Sequence, residues 1–177
     1  MAGKPHKYPV ELSYAHDRMR GGRWWLFRPV NHLAIVPHPM PKMLSKNFAA
    51  YEFECPCGCG YGEMAPAHID NLQRLRDSVG EPLKITSGIR CQAHNDSLKS
   101  IGAASRSWHI PRNGMCYACD ITFATGSLSN QRMLRLSTMA EQLHFKGLGL
   151  YPRRIHVDSR PGRRARWINH HWNWKDI

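Results

Sequence analysis

No regular element can run through Cys55-Pro56-Cys57-Gly58-Cys59-Gly60, because its proline and glycines leave room only for a turn. That turn marks where a tightly patterned region begins. Beyond it, Pro66 to Val79 sets Ile69, Leu72, Leu75 and Val79 at helical spacing and meets a stop at Gly80. Leu83 to Thr86 is a short apolar run of strand type, followed by Ser87-Gly88-Ile89-Arg90, and Tyr117 to Phe123 is a second strand candidate. Ser127 to Leu143 reads as another helix, capped by Ser127 or Ser129, with Met133, Leu136, Ala140 and Leu143 inward. Gly147 to Tyr151 and Ile155 to Asp158 read as a closing hairpin. Helices and short strands in this order predict an α+β domain, a small antiparallel sheet with flanking helices.

The chain has 177 residues, enough for one well-packed domain and too few for two ordinary ones. Residues 1–46 are basic and rich in proline (Pro37, Pro39, Pro41) and are expected to form an irregular arm wrapping the surface of a domain over 47–177. Lys and Arg total 25 against 13 Asp and Glu, a net charge of +12. Such a surplus points to an anionic partner: nucleic acid, a membrane surface or an acidic cell-wall polymer. Simple solubility is the plain alternative. The first residues carry scattered charges without an apolar core, so no secretory signal is expected. The most apolar stretch, Trp24 to Val36, is broken by Arg28, Pro29, Asn31 and His32 and cannot span a bilayer, so no stable membrane insertion is expected.

Three segments carry the chemistry: Ser107-Trp108-His109, Ala118-Cys119-Asp120-Ile121 and Ile155-His156-Val157-Asp158. Each sets a histidine or an acid beside an expected strand end, where side chains converge. Two neutral imidazoles and a carboxylate, with a fourth position left to water, are what a catalytic zinc requires. A lone strand histidine is more often structural, so the weight rests on these segments occurring together.

Ser87-Gly88-Ile89-Arg90, His94-Asn95, Ser107-x-His109, Ala118-x-Asp120 and His156-x-Asp158 follow one another in an order that resembles the zinc D-Ala-D-Ala carboxypeptidase and L-Ala-D-Glu endopeptidase family. The likeness is to its small peptidoglycan peptidases common in bacteriophages, which are akin to the hedgehog signalling domain. It runs from about Phe53 to Trp167 and includes the lead-in Glu54 to Gly60. The resemblance implies that His109, Asp120 and His156 hold one catalytic Zn2+. It implies that Arg90 binds substrate and stabilises the oxyanion, and that Ser107 lines the substrate pocket. Two departures stand out. The gap between His109 and Asp120 is longer than usual, an apparent loop insertion around Pro111 to Gly114, and bond choice is expected to reside there. Many members also place an acidic base three residues before the last histidine, where this chain has Arg153. Asp158 is the candidate replacement. In a strand it leaves the same face as His156, about 6.6 Å along. The alternative is that Asp158 supports His156 or pairs with Arg160 or Arg163.

Cys55, Cys57 and Cys59 with Cys91 would make a structural zinc site of four thiolates. Cys-x-Cys-x-Cys lacks the spacing of zinc knuckles, so reduced or disulfide-linked thiols are the expected state and a second ion the alternative. Cys116-x-x-Cys119 has redox spacing, but its place just before Asp120 suggests that Cys119 is a small buried strand residue. Six arginines (153, 154, 160, 163, 164 and 166) are expected to lie against the site and to attract stem-peptide carboxylates or anionic wall polymers. The tail WINHHWNWKDI offers aromatic packing or ligand contact, and His170-His171 an adventitious metal site.

The expected function is therefore zinc-dependent hydrolysis of peptidoglycan peptide bonds. The enzyme would stay in a host cytoplasm until release, or travel in a virion, and act at the bacterial wall. A second reading keeps the fold without catalysis, as a wall-binding or virion structural protein, with Arg153 its best support. A nucleic-acid module accounts for the charge but leaves the His and Asp motifs as coincidence, and is the least favoured partner class.

Overall fold

A computed structural model describes residues 40–172. Most of the basic arm and the last five residues of the aromatic tail lie outside the described residues. The described end of the arm is bonded to the domain, where Ser45 donates to the Gln73 side chain at 2.8 Å.

After a 3-10 turn at Ala50–Phe53 come Glu63–Met64 (β1), Pro66–Val79 (α1), Leu83–Ser87 (β2) and Gln92–Ser97 (α2). Met115–Cys116 (β3), Ala118–Phe123 (β4), Asn130–Gln142 (α3), Gly147–Tyr151 (β5), Arg154–Asp158 (β6) and Ala165–Ile168 (β7) complete the chain. The boundaries of α1 follow from its ends. Pro66 enters at the first turn, where a missing N–H costs nothing, and Gly80 closes the helix at φ 73. Helix α3 starts later than the periodicity suggested, because Ser129 accepts the Arg132 backbone N–H and caps it there.

The main sheet runs in the order β2-β4-β6-β5-β7. Its first four strands pair antiparallel, as expected. Strand β7 then adds to β5 in parallel, and β1 pairs with β3 in parallel as a separate two-stranded piece. The hairpin β5-β6 is thus not the sheet's closing edge. Alternation sorts β4 and β6 into two faces. Cys119, Ile121, Phe123, Ile155 and Val157 join the core with Leu72 and Leu75 of α1 and Met133 and Leu136 of α3. Asp120, His156 and Asp158 fall on the other face. Register does the rest, since Asp120 pairs directly across from His156.

Glycines allow two close approaches. A Cβ on Gly88 would meet the Phe53 backbone at 2.5 Å, where the Ile89 N–H bonds the Phe53 carbonyl. A Cβ on Gly149 would collide with the ring of Trp167 in β7.

Candidate metal centre and cleft

His109 lies in the loop before β3, while Asp120 and His156 sit within β4 and β6 rather than at their ends. The loop is held because the Arg90 N–H bonds the His109 carbonyl at 2.9 Å, and Ser107 Oγ accepts the His109 N–H at 3.3 Å. The three side chains meet almost out of solvent, at 2%, 5% and 6% exposure. His109 Nε2 is 3.2 Å from Asp120 Oδ1 and 3.1 Å from His156 Nδ1, and His156 Nδ1 is 3.0 Å from Asp120 Oδ1. Three donors around a tetrahedral zinc, each about 2.0–2.1 Å from it, stand about 3.3–3.4 Å apart. The triangle fits that ion with almost no rearrangement.

Each ring is held by its other nitrogen. His109 Nδ1 donates to the Gly88 carbonyl at 2.7 Å, and His156 Nε2 donates to Asp158 Oδ2 at 3.1 Å. Such outer bonds fix the tautomer and point the remaining lone pair at a metal. Burial pushes His109 down towards the neutral form that ligates. Burial also opposes the charge on Asp120, but His109 and His156 hold its carboxyl well below the usual range. For His156, burial is outweighed by bonds from Asp120 and Asp158, and its proton affinity rises. What favours a proton between two carboxylates there also favours a metal cation.

Asp158 is fully buried. Its oxygens accept from His156, from the Arg160 backbone N–H at 3.1 Å and from the Arg160 guanidinium. Burial would raise its pKa, but the Arg160 and His156 bonds drive it far below the carboxylate range. Arg90 donates to Ser87 Oγ at 3.0 and 2.9 Å and to Asp120 Oδ2 at 3.3 Å. Arg154, missed as an individual residue, brings its guanidinium to 3.5 Å from the same Asp120 oxygen and lies over the Tyr151 ring.

His109, Asp120, His156, Arg90 and Arg154 line an open cleft of about 660 Å³. Its walls also include Ser107, Trp108, Tyr151, Arg160 and Trp167, with Leu98, Ile101 and Arg106. The loop Pro111 to Gly114 is absent from the lining, but its Arg112 lies over the ring of Trp108, which is part of the wall. The loop makes a tight turn: Arg112 pairs with Met115 around Asn113 (φ 51) and Gly114 (φ 80). The dipeptide Asn-Gly is the signal that announces such a turn. Of the six C-terminal arginines only Arg154 and Arg160 line the cleft, and Arg164 and Arg166 pair with Glu141 instead. His170 also lines it. Cys116 and Cys119 are wholly buried. His68 of α1 reaches Cys119 Sγ at 3.3 Å and Ser159 Oγ at 3.0 Å. Among the described residues no helix is long and apolar enough to cross a membrane.

A family model described as Peptidase M15 matches residues 46–158. No curated protein matches the chain, and no solved structure does.

Proposed function

We propose, for a chain that belongs to the peptidase M15 family, that it is a zinc metallopeptidase acting on the stem peptides of bacterial peptidoglycan. The observation that carries the reading is the triangle of His109 Nε2, Asp120 Oδ1 and His156 Nδ1, closed to within 3.2 Å at the floor of a cleft. Held by those three atoms, zinc would supply a Lewis acid for a peptide carbonyl and would bring the pKa of a bound water to about 7.

The remaining roles belong to the chain. Arg90 fixes Asp120 and, with Arg154, presents positive charge beside the carbonyl oxygen as it gains charge. Ser107 holds the His109 backbone and lines the pocket. Asp158 acts through His156, because both of its oxygens are already engaged by His156 and Arg160. Trp108 and Trp167 give the cleft apolar walls, while Arg154 and Arg160 suit the carboxylates of a stem peptide. The net charge of +12 would hold the protein on anionic wall polymers. A role in phage lysis or wall entry is consistent with such a substrate.

The test is zinc content and turbidity loss on purified walls, beside cleavage of isolated stem peptides. Wild type is expected to bind zinc and clear walls, to lose activity on chelation and to regain it with zinc, while His109→Ala clears nothing. The second reading, a wall-binding protein without catalysis, draws on Arg153 standing where an acid is usual. Zinc bound at the histidine site with walls and stem peptides left intact would establish it.

A further inference from the structure

The turn at Cys55 to Gly60 lies near the end of the loop between β2 and α2, and between them they gather four sulfurs. Ligand atoms of Cys55, Cys57, Cys59 and Cys91 all lie within 4.8 Å of one another. Cys55 Sγ stands 3.3 Å from Cys57 Sγ, which is 3.6 Å from Cys91 Sγ. Sulfurs about 2.3 Å from a tetrahedral zinc are about 3.8 Å apart, so the cluster is near the size the ion sets. A disulfide, by contrast, joins two sulfurs about 2.05 Å apart and leaves no reason for a third and fourth to converge on the same point.

The backbone is shaped to the same end. Gly58 (φ 70) and Gly60 (φ 65) let the chain reverse after Cys57 and after Cys59, and the Gly58 N–H closes the turn on the Cys55 carbonyl at 2.9 Å. Backbone N–H groups face the sulfurs: Cys91 donates to Cys55 Sγ at 3.5 Å and His94 to Cys91 Sγ at 3.4 Å. Such donors stabilise thiolates held close together. Cys57 and Cys59 are exposed, so packing does not explain their position. The sequence did not announce the cluster, because Cys-x-Cys-x-Cys lacks the knuckle spacing and Cys91 joins it only through the fold.

We propose that Cys55, Cys57, Cys59 and Cys91 bind a structural zinc ion, separate from the histidine centre. Four soft thiolates without a carboxylate or imidazole select zinc over calcium or magnesium. They also close the coordination sphere, so the ion serves the fold. Its place gives it a task. Cys91 directly follows Arg90, whose side chain holds Ser87 and Asp120. The ion ties this loop to the 55–60 turn and so steadies the cation beside the cleft.

The test measures metal on the full chain, with or without peptidase activity. Wild type is expected to carry two zinc ions, His109→Ala one, and the exposed pair variant Cys57→Ser/Cys59→Ser one. Cobalt substitution should give a thiolate charge-transfer band in wild type and in His109→Ala, and none in the cysteine variant. On wild type alone, Cys57 and Cys59 should resist thiol labelling until a chelator strips the metal, which keeps the test independent of how the variant folds. Immediate labelling of both thiols, a missing cobalt band in wild type, or an iron chromophore in place of zinc would each overturn the proposal. Failure of wall hydrolysis alone would overturn only the peptidase reading, because the thiolate ion is counted without it.

Discussion

Replacing Asp158 with asparagine separates a carboxylate that positions a ligand from one that takes the proton. Asp158 Oδ2 accepts His156 Nε2–H at 3.1 Å, which leaves Nδ1 bare towards Asp120 and His109. Asparagine is nearly the same shape, but one of its two oxygen positions becomes an NH2 group. If that NH2 faces His156, the ring must shift its proton to Nδ1 and stops ligating. If it faces Arg160 instead, two donors oppose each other where an ion pair stood. Loss of a bond of this kind weakens metal binding about 10–100-fold, or about 1.4–2.8 kcal/mol. Zinc affinity should be read by competition with a chromophoric chelator, and peptide hydrolysis at saturating zinc. The expected result is a Kd raised by that factor, with much of kcat restored once zinc saturates. An unchanged Kd with kcat abolished would refute the reasoning and return Asp158 to the role of base. His170→Ala belongs in the same series, since His170 is the imidazole on the cleft wall outside the metal triangle.

Two further outcomes are expected. His68 is enclosed against Cys119, Ser159 and Phe145, and burial lowers its pKa from 6.5 to about 3. Between those values the unfolded chain binds the extra proton. The stabilisation from keeping His68 neutral is therefore complete above pH 6.5 and drains as pH falls towards 3, by about 1.4 kcal/mol per unit. Denaturant melts of wild type and His68→Gln between pH 7.5 and 5 check this; equal slopes would dismiss it. Gly149→Ala should force Trp167 off its place beside His156, where the rings are 5.0 Å apart, at about 1–3 kcal/mol. A lower Tm with altered tryptophan emission is expected, and neither change would mean the ring shifts freely.

Helix α1 was legible in the chain because its apolar spacing and both of its ends, Pro66 and Gly80, carry separate signals. The hairpin β5-β6 was legible for a similar reason. Strand β7 was not: four residues, Ala165-Arg-Trp-Ile168, lie among arginines and half-bury only every other side chain. The metal triangle came from the order of motifs, and no periodicity could have supplied it. Its geometry depends on register, Asp120 opposite His156, and register is settled by the packing of whole strands. Arg154 stood in a run of like residues, and nothing local separates it from Arg153, although one side chain lines the cleft and the other does not. The Asn113-Gly114 turn is different, since its signal was present and went unread.

Trp167 has a consequence for how this cleft can vary. The family match ends at residue 158, the last residue of β6, so His109, Asp120 and His156 of the proposed metal centre lie inside the matched stretch. Trp167, Asn169 and His170 lie beyond it, yet they form part of the cleft wall. The triangle and much of the cleft wall thus lie in the matched stretch, and the last strand adds the remainder from outside it. A change in this last strand would therefore alter part of the cleft wall and leave the triangle of His109, Asp120 and His156 in place.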